Sequence, residues 1–150
     1  METFTIKYGD KLCMTLDEDN EPIHIACVFP VLSEGNNRIV YDMGNCILKV
    51  AKSAIASIYN KNEIELWNFL GERSQKLKFN RIIETDDNGY WYVAEKVSTD
   101  GNAMEKALEY IEWLDYSDNA GYDCNGKLTI IDAEEIRVGD IEYLLQKGII

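Results

Sequence analysis

The sequence predicts an α+β fold: an antiparallel β-sheet carrying one packed helix, followed by a smaller helical part that contains a β-hairpin. Three observations predict it. The first 51 residues hold short runs rich in β-branched and aromatic side chains separated by turn residues. From 53 to 70 the apolar period changes to helical spacing. Beyond residue 100 an amphipathic segment is followed by an Asn125-Gly126 hairpin signal. With 150 residues and 46% hydrophobic side chains the chain is long enough to bury a sizeable core. One domain spanning 1–150 is expected, β-rich over 1–98 and reduced over 99–150.

Residues 3–7 and 11–16 read as strands around Tyr8-Gly9-Asp10, and 22–29 alternates in polarity until Pro30 breaks it. These first 28 residues are expected to add strands to the sheet or to form a homodimer edge. Strands near 29–32, 38–42 and 46–51 follow, the last two joined by Met43-Gly44-Asn45 as a tight hairpin. Ile55, Tyr59, Leu66 and Leu70 mark one face of a helix over 53–70, and Gly71 marks its stop. Residues 102–114, with Met104, Ala107, Leu108, Ile111 and Leu114 on one side, fit a single amphipathic helix. The hairpin at Asn125-Gly126 leads into an apolar strand ending in Asp132, and a last helix is expected near 140–147.

The 27 acidic residues outnumber 15 basic ones, giving a net charge of −12 spread along the chain. Such a surface repels phosphates, so direct nucleic-acid binding is not expected. The same charge suits a protein that imitates a polyanion and occupies a basic groove. Cys13, Cys27, Cys46 and Cys124 form no CxxC pair or Cys/His cluster, which predicts reduced thiols and no zinc. No run approaches the roughly 20 apolar residues of a membrane span, and the N-terminus lacks signal-peptide order, so a soluble cytoplasmic protein is expected. Trp67, Trp91 and Trp113 read as packing residues because no basic residues interleave with them. His24 reads as an ordinary strand residue.

One lysine stands out. In "CILKVA" Ile47, Lys49 and Ala51 share one strand face while Cys46, Leu48 and Val50 share the other. Both faces are otherwise apolar, so alternation gives Lys49 no route to water. On the following helix, position 63 falls on the apolar face one turn after Tyr59, yet it holds Glu63. A lone buried charge costs several kcal/mol, about enough to force pairing or neutralisation. These two charges are expected to answer each other.

From about Val31 to Ile136 the order of motifs resembles the protein-kinase family, in particular the very short kinase-like proteins of bacteriophages and some bacteria. "LSEGNNRIVY" resembles the glycine-rich loop, with Gly35 at its middle glycine and Val40 at the valine that covers the nucleotide base. "CILK" is similar to V-A-I-K and gives Lys49 the role of the lysine that holds the α and β phosphates. Glu63 in "NKNEIELWNFL" is then its helix partner. "FNRIIETDDNGYWYVAEKVS" resembles the strand pair that ends in the hinge, where backbone groups of Glu95, Lys96 and Val97 meet the adenine edge. "DNAGYDCNGKLTIIDAEE" resembles the catalytic loop and metal strand, implying ATP with Mg²⁺ held by Asn119 and Asp132. The fold implied is a kinase-type small lobe followed by a strongly reduced helical second lobe.

The departures bear on activity. Ser33 and Arg38 replace the outer loop glycines, so the backbone approaches a phosphate less closely there. Ile47 replaces the small residue under the adenine. The position of the catalytic base is Leu114, with Asp115 one step late, and D-F-G appears as Asp132-Ala133-Glu134. The 18 residues after Asp132 are too few for an activation segment and a peptide-docking surface. Three expectations follow. The first-ranked is a pseudokinase-like module that binds a nucleotide, an unidentified protein partner, or both. The next is a minimal ATP- and Mg²⁺-dependent kinase of protein or small molecules, with Lys49 and Glu63 positioning phosphates and Asp115 or Asp118 improvised as base. The last is the acidic inhibitor that imitates nucleic acid.

Overall fold

The computed structural model describes residues 2–71, 76–99, 102–110, 120–131 and 138–149. In chain order the elements are β1 (Phe4–Tyr8), β2 (Leu12–Leu16), β3 (Pro22–Cys27), β4 (Val31–Glu34), β5 (Arg38–Asp42), β6 (Cys46–Ala51) and α1 (Ser57–Leu70). After these come β7 (Lys78–Phe79), β8 (Ile82–Thr85), β9 (Trp91–Glu95), α2 (Ala103–Leu108), β10 (Ala120–Tyr122), β11 (Leu128–Ile130) and α3 (Val138–Gln146). The architecture is mixed α and β, with largely antiparallel sheets and few helices.

The central sheet has five antiparallel strands in the order β4-β5-β6-β9-β8. Its two faces carry different partners, which is why β6 is apolar on both. On one face Leu48, Val50, Trp91 and Val93 pack with Leu12, Met14 and Leu16. Those three come from the alternating positions of β2, whose neighbours β1 and β3 complete a separate three-stranded antiparallel sheet. The N-terminal strands therefore cover the central sheet and do not extend it. Alternation in β2 explains this, because a buried row at 12, 14 and 16 needs a facing layer. The Tyr8 ring stacks on Trp91 at 4.1 Å between centroids, and the Trp91 indole donates to the Lys7 carbonyl at 3.2 Å.

The opposite face presents Ile47, Tyr92 and Ala94, with Val40, Ile64 and Ile82 packed against them, and here α1 lies across the sheet. The helix begins at Ser57, four residues later than its periodicity predicts. Residues 53–56 form a turn in which the Ala56 amide donates to Ser53 Oγ and the Ser57 hydroxyl donates to the Ala54 carbonyl. Ile55, assigned to the inner face, is 74% exposed on that turn. Gly71 ends the helix at a φ of 58°, a conformation open to glycine at little cost.

A second core gathers Ala103 and Ala107 of α2, Ala120, Leu128 and Ile130 of the β10–β11 hairpin, and Ile141 and Leu144 of α3. Leu70, Leu77 and Phe79 join it, because β7 pairs in parallel with β11. The second core thus reaches back across the expected division at 98. Helix α2 spans six residues; Glu109 and Tyr110 of its expected range form a turn, and 111–114 lie outside the described residues. No helix among the described residues is long and apolar enough to cross a membrane.

Candidate functional site

The Met43-Gly44-Asn45 hairpin sets the register of β5 and β6, pairing Val40 with Lys49 and Arg38 with Ala51. On the other side of β6, Lys49 faces Tyr92. Because side chains alternate, Arg38, Lys49 and Tyr92 all project from the sheet face that α1 covers. Helix α1 answers with a polar stripe: Ser57, Asn60 and Glu63 are buried, one turn apart, before Leu70 returns to hydrophobic packing.

Glu63 is the centre of the resulting cluster. Its Oε1 accepts from the Arg38 guanidinium at 2.7 Å, and its Oε2 lies 3.5 Å from the Lys49 ammonium and accepts from the Tyr92 hydroxyl. Asn60 accepts from Arg38 at 3.2 Å and donates to the Lys49 and Tyr90 carbonyls. The Lys49 ammonium donates to the Ile131 carbonyl at 2.5 Å, and it also sits 5.7 Å from the Tyr92 ring centre. Lys49 is 3% exposed and Glu63 6%. In such surroundings the pairing offsets a desolvation cost of several kcal/mol per ion, roughly speaking, which explains why the donors converge.

Lys49 and Glu63 are thus brought together, but with company that the sequence reading does not name. Arg38, read there as a missing loop glycine, lies in β5 with its side chain buried against Glu63. Tyr92 and Asn60 are also absent from that reading. A signal for Arg38 and Tyr92 exists in the parity of their strands, since the hairpin register places residues 38 and 40 opposite 51 and 49. For Asn60 it lies in the helical step of three before Glu63.

The remaining sites fall at the margins of this cluster. Gly35 sits in the exposed β4–β5 loop, where its amide donates to the Arg38 carbonyl at 2.9 Å and an added Cβ meets nothing nearer than 4.0 Å. Val40 is half-buried and packs with Ile47, Tyr92 and Ala94. Glu95 ends β9 with its amide donated to the Arg81 carbonyl at 2.9 Å, while its carboxylate accepts from Lys78 at 2.6 Å and from the Arg81 amide. Lys96 binds both carboxylate oxygens of Asp42 at 2.9 Å. Next to Val97, Ser98 and Tyr122 exchange backbone hydrogen bonds of 2.8 Å, which stitches this segment to β10. Asp115, Asn119 and Asp132, with Leu114 and Asp118, lie outside the described residues.

The residues present fit a phosphate in one respect. Arg38 and Lys49 bring a guanidinium and an ammonium to one carboxylate, and the Ile131 oxygen on Lys49 is a neutral acceptor that an anionic oxygen can replace with a stronger, charge-assisted bond. Beside Glu63, in a small cavity walled by Trp67, Phe79 and Ile130, the buried Asn80 amide finds no hydrogen-bond partner among the described residues.

No protein-family model matches this sequence, and no curated protein matches it significantly. Among solved structures, WbdD in co-crystal with a kinase inhibitor matches with a TM-score of 0.43 at 15% identity, over 83% of this chain and 36% of that one. The Legionella pneumophila kinase Lpg2603 bound to IP6 matches with a TM-score of 0.41 at 13% identity, over 87% of this chain and 60% of that one. The chain spans less than two thirds of the length of either.

Proposed function

We propose that this chain is a miniature kinase-like, pseudokinase-type module that binds a nucleotide through Lys49 and presents the complex to a protein partner. The observation that supports it is the buried Lys49–Glu63 pair between a strand and a helix, with the carbonyl of Ile131, the residue before Asp132, resting on the ammonium. That arrangement joins three separate segments at one charged centre. ATP with Mg²⁺ is the proposed ligand. Lys49 takes its phosphates, the Gly35 loop and Val40 cover it, the hinge backbone from Glu95 to Val97 meets the base, and Asn119 and Asp132 hold the metal.

Binding is favoured over phosphoryl transfer because Leu114 occupies the position of the base, and transfer depends on a precisely held acceptor. The test is a calorimetric titration of ATP and Mg²⁺ into the wild type and Lys49→Ala, with phosphate release followed in the same samples. Saturable binding lost in the variant, without turnover above it, is expected. Heat that is absent or equal in the two proteins overturns the reading, and turnover specific to the wild type replaces it with a minimal phosphotransferase using Asp115 or Asp118.

A further inference from the structure

We infer that Arg38, and not Lys49, seats Glu63 and docks helix α1, so that the β4–β5 loop and the helix move as one unit. This concerns the resting protein and holds whether or not a nucleotide binds. The geometry separates the two cations. Arg38 reaches Glu63 at 2.7 Å and Asn60 at 3.2 Å, two residues of α1 one turn apart, while Lys49 stands 3.5 Å from Glu63 and donates at 2.5 Å to Ile131 in a different segment. One guanidinium nitrogen, Nη1, serves both acceptors in the plane that the rigid fork fixes, whereas an ammonium acts as a point charge.

Arg38 also closes the loop before it. Its carbonyl accepts the Gly35 amide at 2.9 Å, so the residue that grips the helix is the one that ends the turn. Displacing that turn moves the Arg38 backbone, and the guanidinium transmits the displacement to Glu63. Arg38 therefore links the loop to the carboxylate. Lys49, bonded to Ile131, also ties the sheet to the residue that follows β11.

Two double-mutant cycles measured by urea unfolding without nucleotide test the assignment: Arg38→Met with Glu63→Gln, and Lys49→Met with Glu63→Gln. The first pair is expected to couple by about tenfold or more in the unfolding equilibrium constant, and the second by about threefold or less. A Lys49–Glu63 coupling equal to or above that of Arg38–Glu63 overturns the proposal. Hydrogen exchange on the milder Arg38→Lys, compared with Lys49→Met, gives a second reading should Arg38→Met fail to fold. Amides of α1 should exchange faster in Arg38→Lys, and amides of 128–131 faster in Lys49→Met. If α1 responds at least as strongly to Lys49→Met, the assignment fails.

Discussion

Glu63 is held by Arg38, Lys49 and the Tyr92 hydroxyl, and removing it leaves those three donors without their shared acceptor in a buried site. Glu63→Ala is therefore expected to cost about 3–5 kcal/mol of folding stability, read as a lower urea midpoint, whereas Glu63→Gln, which keeps the shape and two polar atoms, is expected to cost less. An equal cost for both contradicts this role for the carboxylate. Tyr8 supplies a pH-dependent test. Burial and then the hydrogen bond to Glu84 push its phenol up to about 12. A raised folded value means that its contribution is complete below the ordinary value of 10.0 and lost as pH rises through about 12. Tyr8→Phe should flatten part of the alkaline loss of stability, and an unchanged alkaline limb contradicts the assignment. At this scale Lys49 and Glu63 are legible in the sequence because each charge stands at a position that its periodicity assigns to the interior. Arg38 is not, because a loop motif claims position 38 while strand parity places it beside Lys49. Asn60 and Tyr92 are unremarkable residue types that gain meaning only from their neighbours.

At the level of elements, most strand, turn and helix positions are legible from alternation and from Gly9, Gly44, Gly89 and Gly126, each at positive φ in a turn. What alternation leaves open is layering, because a strand's pattern shows that one face is covered without showing by what. The start of α1 is misread for a related reason: Ile55 keeps the helical spacing although its backbone is still a turn. Two glycines separate local from tertiary constraint. Gly126 has open space where a methyl group would stand, so its substitution strains only the backbone, whereas a Cβ on Gly121 lies 2.5 Å from the Ser98 carbonyl oxygen. Gly121→Ala should push β10 off the 97–98 segment and cost about 1–3 kcal/mol as overpacking. Faster hydrogen exchange at Ser98 and Tyr122 is the signature that checks it. Unchanged exchange there contradicts a close seam.

For the whole molecule, the two cores are tied by Lys78, which reaches Glu95 at 2.6 Å and Asp123 at 2.8 Å. Burial alone lowers the Lys78 ammonium and raises the Asp123 carboxyl, but hydrogen bonds outweigh it in both: Asp123 and Glu95 hold Lys78 up, and Lys78 with the Lys127 and Asn125 amides hold Asp123 down. The Asp123 contribution is present above its ordinary value of 3.8 and lost as pH falls through the depressed one. That of Lys78 is complete below 10.5 and lost as pH rises through the raised one. The stability difference between wild type and Lys78→Met should therefore be widest between those limits and shrink on both sides. A pH-independent difference contradicts the tie. This joint is not legible in the sequence, since residues 78, 95 and 123 belong to three segments with no local pattern in common. Lys49 as an anion-binding group is the central claim, and thermal unfolding with ATP and Mg²⁺ tests it most directly. At a hundred times its dissociation constant the ligand should add about 2.7 kcal/mol and raise the midpoint by roughly 5–10 °C in the wild type, with no rise in Lys49→Ala. A midpoint that stays fixed in the wild type, or rises equally in both proteins, contradicts it.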